Sequence, residues 1–304
     1  MTFFEGDGLA ECVGARARVD SWMILAGGSA CAVHAVDVVD ASGLRHPLVL
    51  KRFFREDWLT REPDLAAREA RHLEKLVATP LPIPRLVGVD PQGSRCDWPA
   101  VLMTRLPGRS ELVPEDMDDW LLGLVEPLPV LHGLSESVYA DLAPYRAYAQ
   151  VDELVVPDWS ARPDAWKRAI DCVQAPPPST RDRFVHRDYH PTNVLWTQSR
   201  VSAILDFTDS SRGPAAADLG HCRLNLAQLY GPDVAERFLA LHESTAPGSI
   251  ELDPYWDLLS LIEILPGPPS VYWGWRNLGV RGLTPEIVRD RLDDYAGRLV
   301  AKLG

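Results

Sequence analysis

Residues 185–207 carry Val185-His186-Arg187-Asp188-Tyr189-His190-Pro191-Thr192-Asn193, then Val194-Leu195-Trp196, and after a polar interval Ala203-Ile204-Leu205-Asp206-Phe207. One carboxylate stands five residues before a carboxamide, and a second closes an apolar run. Val194-Leu195-Trp196 and Val201-Ser202-Ala203-Ile204-Leu205 have the composition of short strands, and Thr197-Gln198-Ser199-Arg200 that of a polar turn, so a hairpin is expected. Pairing those strands brings Asn193, just before the first, close to Asp206, just after the second. Phosphoryl transfer needs an acceptor for the substrate hydroxyl proton and oxygen ligands for Mg²⁺ on nucleotide phosphates. Asp188 suits the first role, Asn193 and Asp206 the second.

On these residues the sequence resembles the aminoglycoside phosphotransferase family, small-molecule kinases that share the protein-kinase fold and include choline kinases. The His-x-Asp-x-x-x-x-Asn pattern falls at His186, Asp188 and Asn193, the metal-binding Asp at Asp206, and Asp218-Leu219 resembles the Asp-Leu that follows in the family. The resemblance implies an α+β, two-lobed protein-kinase-like fold. Residues 1–105 would form a small antiparallel β lobe that binds nucleotide, and 106–304 a mostly helical lobe with the catalytic loop and acceptor pocket. It implies transfer of the γ-phosphoryl group of ATP or GTP, with Mg²⁺, to a hydroxyl of a small molecule, with His186 and Asp218 in support. An antibiotic kinase is the first reading. A metabolite kinase with an amino alcohol, sugar or homoserine-like acceptor, and a nucleotide-binding pseudokinase, are the alternatives. No Ala-Pro-Glu segment or long activation loop follows Asp206, which disfavours a protein substrate.

Three strands are expected over residues 19–25, 31–39 and 47–53. Gly27, Gly28 and Ser29 in the first turn would let backbone N–H groups approach phosphates. The family carries polar residues after these glycines, where this chain has Ala30 and Cys31. Lys51 ends the apolar run Leu48-Val49-Leu50 and matches the lysine that kinases use on the α- and β-phosphates. After Pro63, Leu65, Glu69, Leu73 and Leu76 fall at helical spacing, which puts Glu69 on the apolar face. A carboxylate there needs a partner. Lys51 is the candidate, and a Lys51–Glu69 ion pair is what the resemblance implies. Ala100-Val101-Leu102-Met103-Thr104 reads as a strand broken by Arg105-Leu106-Pro107-Gly108. In the family this is the hinge, with main-chain contacts to the base expected at Thr104 and Leu106, so residue type does not separate ATP from GTP.

Leu121 to Leu134 reads as a central helical region that Pro127 and Pro129 start, kink or break, with His132 in the core. Asp218 opens a helix with apolar positions Leu219, Cys222, Leu226 and Leu229 that stops at Gly231-Pro232. N-capping is its plain role, and bracing the catalytic loop its family role. The remainder is helical with a break at Leu265-Pro266-Gly267-Pro268-Pro269. For the acceptor, Asp209, Asp257 and Glu263 could bind a cation, and Tyr255, Trp256, Trp273 and Trp275 could wall the pocket. Ten tryptophans would also suit an apolar macrolide.

The 304 residues are 46% hydrophobic and 24% charged, the balance of a soluble globular protein. A formal net charge of −12 argues against a nucleic-acid partner and is compatible with cationic substrates. Cys12, Cys31, Cys96, Cys172 and Cys222 are scattered and never paired as Cys-x-x-Cys, so they read as reduced thiols of a cytoplasmic protein without structural zinc. Residues 1–7 lack the features of a signal peptide, and no apolar run reaches the ~20 residues of a membrane span. A monomer or homodimer without membrane contact is expected.

Overall fold

A computed structural model of the protein describes residues 12–25, 31–95 and 97–303. The expected phosphate-binding turn at Gly27, Gly28 and Ser29 lies outside them. Two compact units are formed. The first holds the described residues up to Arg109, together with Leu195–Thr197 and Ser202–Asp209. The second holds Ser110–Val194, Gln198–Val201 and the described residues from Ser210 onward.

In the first unit, β1 (Arg18–Ile24), β2 (Cys31–Val39), β3 (Arg45–Phe53), β4 (Leu86–Asp90) and β5 (Ala100–Thr104) make an antiparallel sheet in the order β1-β2-β3-β5-β4. Side chains alternate between faces with a period of two. Leu48 and Leu50 of β3 therefore share one face with Val36, Val38, Ala100 and Leu102, and Val13, Ala17, Val19 and Val87 pack onto that cluster. After α1 (Glu56–Arg61), helix α2 (Leu65–Leu76) packs against β3, β4 and β5, burying Leu65, Ala66, Ala70, Leu73 and Leu76. Lys51 stands one residue out of phase with Leu50, between Val33 of β2 and Val101 of β5. Register alone thus takes its side chain off the aliphatic face.

The helical unit comprises α3 (Met117–Val125), α4 (Pro127–His132), α5 (Glu136–Tyr139), α6 (Pro163–Gln174), α7 (Ala216–Tyr230), α8 (Pro232–Thr245), α9 (Pro254–Ile262), α10 (Trp273–Asn277) and α11 (Pro285–Ala301). Asp116 caps α3 by accepting from the N–H groups of Asp118 and Asp119. Pro127 then starts α4, where a missing N–H costs nothing. Buried α7 packs against α8 and α9. Its approach to α9 requires glycine at 220, where a Cβ would lie 2.6 Å from Trp256 O.

Strand β6 (Asp182–Val185) leads into residues 186–193. The hairpin β7 (Val194–Thr197) and β8 (Arg200–Ile204) follows, and β9 (Ser211–Pro214) returns to pair with β6. The expected polar turn is a two-residue loop in which Gln198 and Ser199 have φ of 50° and 59°, the left-handed pair that matches strand twist. One expectation needs correction. Helix α7 begins at Ala216 after Ala215, so Asp218 sits inside its first turn and is not the N-cap. Among the described residues no helix is long and apolar enough to cross a membrane.

Candidate active site

Lys51 and Glu69, which are 6% and 1% exposed, meet as the helical spacing of α2 requires, with Nζ 3.0 Å from the carboxylate. The same ammonium lies 2.7 Å from Asp206 Oδ1 and 2.8 Å from Thr208 Oγ1, and Thr208 in turn donates to Asp206 Oδ1 at 2.8 Å. Burial alone would lower the pKa of Lys51, but Asp206 and Glu69 outweigh it and hold it well above the usual lysine range. Asp206 follows β8 with φ of 63°, a left-handed conformation that Asp tolerates better than most residues. Its chain neighbours are anchored to α2. His72 Nδ1 bonds Phe207 O at 2.6 Å, and Arg68 donates to Thr208 O at 3.0 Å. Burial pushes the pKa of His72 down to about 4, so it bonds as the neutral imidazole. Cys31 is buried opposite Phe53, with its thiol pushed up to about 12 mainly by burial.

In the helical unit, fully buried Asp218 organises the loop of residues 186–193. Its carboxylate accepts from the N–H of His186 at 2.9 Å and of Arg187 at 2.7 Å, and lies 2.8 Å from His132 Nε2. Burial opposes charge on Asp218, but the His132 bond and charge lead a set of contacts that lower its pKa. Arg187 has φ of 72°, a conformation that costs of order 1–3 kcal/mol in a non-glycine residue and must be held by its surroundings. It is held by Asp218, by the bond from Nε to Arg146 O at 2.8 Å, and by its guanidinium lying 3.3 Å from the Tyr148 ring centroid. Tyr189 anchors the next residue, its OH donating to Leu124 O at 2.7 Å.

Asp188 is thereby presented at a fixed point. Asn193 Nδ2 donates to Asp188 O and Oδ2, both at 2.9 Å, and the planar amide then directs Asn193 Oδ1 to the opposite side. His221 Nε2 lies 3.2 Å and His190 Nε2 3.6 Å from Asp188 Oδ1. Burial opposes ionisation of Asp188, but the two imidazoles outweigh it and keep the carboxyl well below its usual range. For His221 burial acts downward, and the bond to Asp188 followed by nearby acidic groups raises its pKa. Asp206 in the first unit and Asn193 in the second each offer an oxygen donor of the kind a hard cation such as Mg²⁺ takes. The charge around Lys51, one ammonium against two carboxylates, also suits a cation.

His190, His221 and Thr208 were missed in the sequence. His221 stands three residues after Asp218, one turn along the same helix, a spacing that puts both on one face. Of the acceptor candidates, Asp257 requires a correction. It is the counter-ion of buried Arg223, which also reaches Glu236, and it lies 3.4 Å from Tyr295 OH, so its charge is spent inside the helix packing. Trp256 is likewise buried, edge-on to Tyr145 and Tyr255, and Trp275 is buried with it in the core. Glu263 accepts from Tyr148 N–H at 2.7 Å, and burial raises its pKa. Trp273 is 50% exposed, and Asp209 pairs with Arg68 at 3.2 Å. Thr104 closes β5 with its N–H on Arg85 O, and Leu106 follows in irregular chain.

A profile of the phosphotransferase enzyme family matches residues 27–255. A thermostable mutant of aminoglycoside phosphotransferase APH(4)-Ia, solved as a ternary complex with AMP-PNP and hygromycin B, is 15% identical with a TM-score of 0.62, over 99% of each chain. Macrolide 2'-phosphotransferase MphH from Brachybacterium faecium is 19% identical, with a TM-score of 0.57 over 94% of this chain and 98% of that one. An aminoglycoside-3'-phosphotransferase of type VIII is 20% identical, with a TM-score of 0.55 over 79% of this chain and 92% of that one. The antiparallel β unit and the helical unit are those of the protein-kinase-like fold these proteins share.

Proposed function

Because the chain belongs to the phosphotransferase enzyme family, we propose that it moves the γ-phosphoryl group of ATP or GTP to a hydroxyl of an aminoglycoside- or macrolide-class antibiotic, with Mg²⁺. The observation that carries this reading is Lys51 joined to both Glu69 and Asp206, residues 18 and 155 positions away in the chain. The Lys51–Glu69 pair at the centre of this arrangement is buried, and burying such a pair is costly without a purpose.

Lys51, fixed by Glu69, grips the α- and β-phosphates. Asn193 and Asp206 would hold Mg²⁺, which supplies neutralisation of the phosphate oxygens during transfer. Asp188 orients the acceptor hydroxyl through a carboxylate held in place by Asn193 and the two imidazoles. Its lowered pKa makes it a weak base, suited to receiving the proton late, as bonding to phosphorus develops. Asp218 holds no substrate and positions Asp188 through the loop backbone. Asp209 and Glu263 remain as acidic candidates for a cationic acceptor, Glu263 in electrostatic contact with His221, Arg187 and Asp188 around the proposed base.

Release of ADP from Mg-ATP and of GDP from Mg-GTP, measured against separate pools of aminoglycosides, macrolides, amino alcohols and sugars, tests the reading. Release that depends on an antibiotic pool and disappears in Asp188→Ala supports it. Release with amino alcohols or sugars alone would replace the antibiotic by a metabolite. Silence in every pool, with nucleotide binding intact by thermal shift, would favour a pseudokinase.

A further inference from the structure

Three side chains of the helical unit converge beyond what orienting a hydroxyl requires. Asp188 Oδ1 has His221 Nε2 at 3.2 Å and His190 Nε2 at 3.6 Å, and no two of the three ligand atoms are more than 4.8 Å apart. Zinc bonds to nitrogen and oxygen of about 2.0–2.1 Å at tetrahedral angles put neighbouring ligand atoms about 3.3 Å apart. The two measured edges lie on either side of that spacing. The imidazoles meet edge to face, with centroids 5.7 Å apart at 66°, and do not stack.

The set is two imidazoles and a carboxylate, which leaves one tetrahedral position open, the pattern of zinc sites with three protein ligands. Solvent reaches it, since the His190 and His221 side chains are each 16% exposed and that of Asp188 is 30% exposed. Its frame is stiff. Asp218, one turn before His221 on α7, bonds the backbone of the loop that carries Asp188 and His190, so all three ligands share one anchor. Mg²⁺ is a poor occupant, because it demands octahedral oxygen coordination, whereas imidazole favours zinc, cobalt, nickel and copper.

We propose that Asp188, His190 and His221 form a binding site for a zinc-class divalent transition ion, and that filling it reversibly switches the transferase off by occupying the Asp188 oxygen. Binding stands on this geometry alone. Inhibition rests on the role proposed for Asp188. Reversibility follows from access: all three ligand side chains are partly exposed and one tetrahedral position is left open, so the ion can exchange with solvent.

The test is calorimetric titration of Zn²⁺, and visible absorption of bound Co²⁺, under saturating Mg²⁺ without nucleotide. Wild type, His221→Gln, His190→Gln and a control, His46→Gln, are compared after their folded spectra are shown to match. Expected are one ion per chain, a four-coordinate Co²⁺ spectrum, affinity at least ~10-fold weaker in each site variant, and no change in the control. Equal affinity in wild type and both site variants, or a six-coordinate Co²⁺ spectrum, would overturn the site. If Zn²⁺ binds as expected but turnover with Mg-nucleotide and acceptor is unaffected by it, the inhibitory role is wrong. Absence of turnover with any acceptor would count against the transferase reading and leave the binding result standing.

Discussion

Replacing Asp218 by Asn should separate the loop brace from the chemistry it serves. Asp218 Oδ2 takes His186 N–H and His132, and Oδ1 takes Arg187 N–H. An Asn side chain keeps one acceptor oxygen, and keeping it toward His186 and His132 turns an NH₂ group on the Arg187 N–H. A buried donor left unsatisfied costs about 1–3 kcal/mol. The loss falls on the residue whose left-handed backbone most needs support. Set against a stability of about 5–15 kcal/mol, the variant still folds. The relaxed loop misplaces Asp188, and an error of about 1 Å in a reacting group costs about 10²-fold in rate. Urea unfolding at pH 7 should therefore show a loss of about 1–3 kcal/mol, and acceptor-dependent turnover should fall about 10²-fold. The pH dependence has a definite sign. The folded pKa of Asp218 is lowered from 3.8, so its contribution is present above that value and lost as pH falls through the folded pKa. The gap between wild type and variant should close on acidification below about pH 4. A variant within about 0.5 kcal/mol of wild type and with unchanged turnover would refute the brace.

Lys51→Met leaves Glu69 and Asp206 without their shared ammonium. Removing one partner of a buried ion pair costs about 3–5 kcal/mol, and adding Glu69→Leu should recover part of that stability in urea melts without recovering turnover. His72 is buried neutral with its pKa lowered from 6.5 to about 4. The unfolded chain therefore binds the proton first, and stability falls as pH drops from about 6.5 to about 4. In His72→Gln, chemical denaturation across that range should show a fall shallower by about 3 kcal/mol in total, and an unchanged slope would contradict the assignment.

The Lys51–Glu69 pair was legible because its signals are local. Lys51 follows the apolar run Leu48-Val49-Leu50 within β3, and Glu69 shares the apolar stripe of α2, so burial and charge together pointed to a pair. The hairpin was equally readable from four polar residues between two apolar runs, and the break between α3 and α4 from Pro127. Asp218 was read for its loop-bracing role and also for an N-cap that the structure gives to Ala215, because helix onset shifts by one or two residues without changing the periodic pattern. His190 and His221 went unread for a different reason. An imidazole gains meaning only from what faces it, and Asp188 and His221 are 33 residues apart by their numbers. Asp257 misled in the same way. On an amphipathic helix its carboxylate looks available, and only packing reveals Arg223 as its partner.

Asp188 is the residue on which the proposed transfer of a phosphoryl group to a small-molecule hydroxyl depends. That dependence is tested most directly by following label from γ-phosphate-labelled nucleotide into acceptor, for wild type and Asp188→Ala at matched nucleotide occupancy. Label should move to an acceptor hydroxyl in the wild type and at least ~10²-fold more slowly in the variant, the usual scale for a positioned proton acceptor, with nucleotide affinity little changed. Equal transfer by the two proteins would contradict the account.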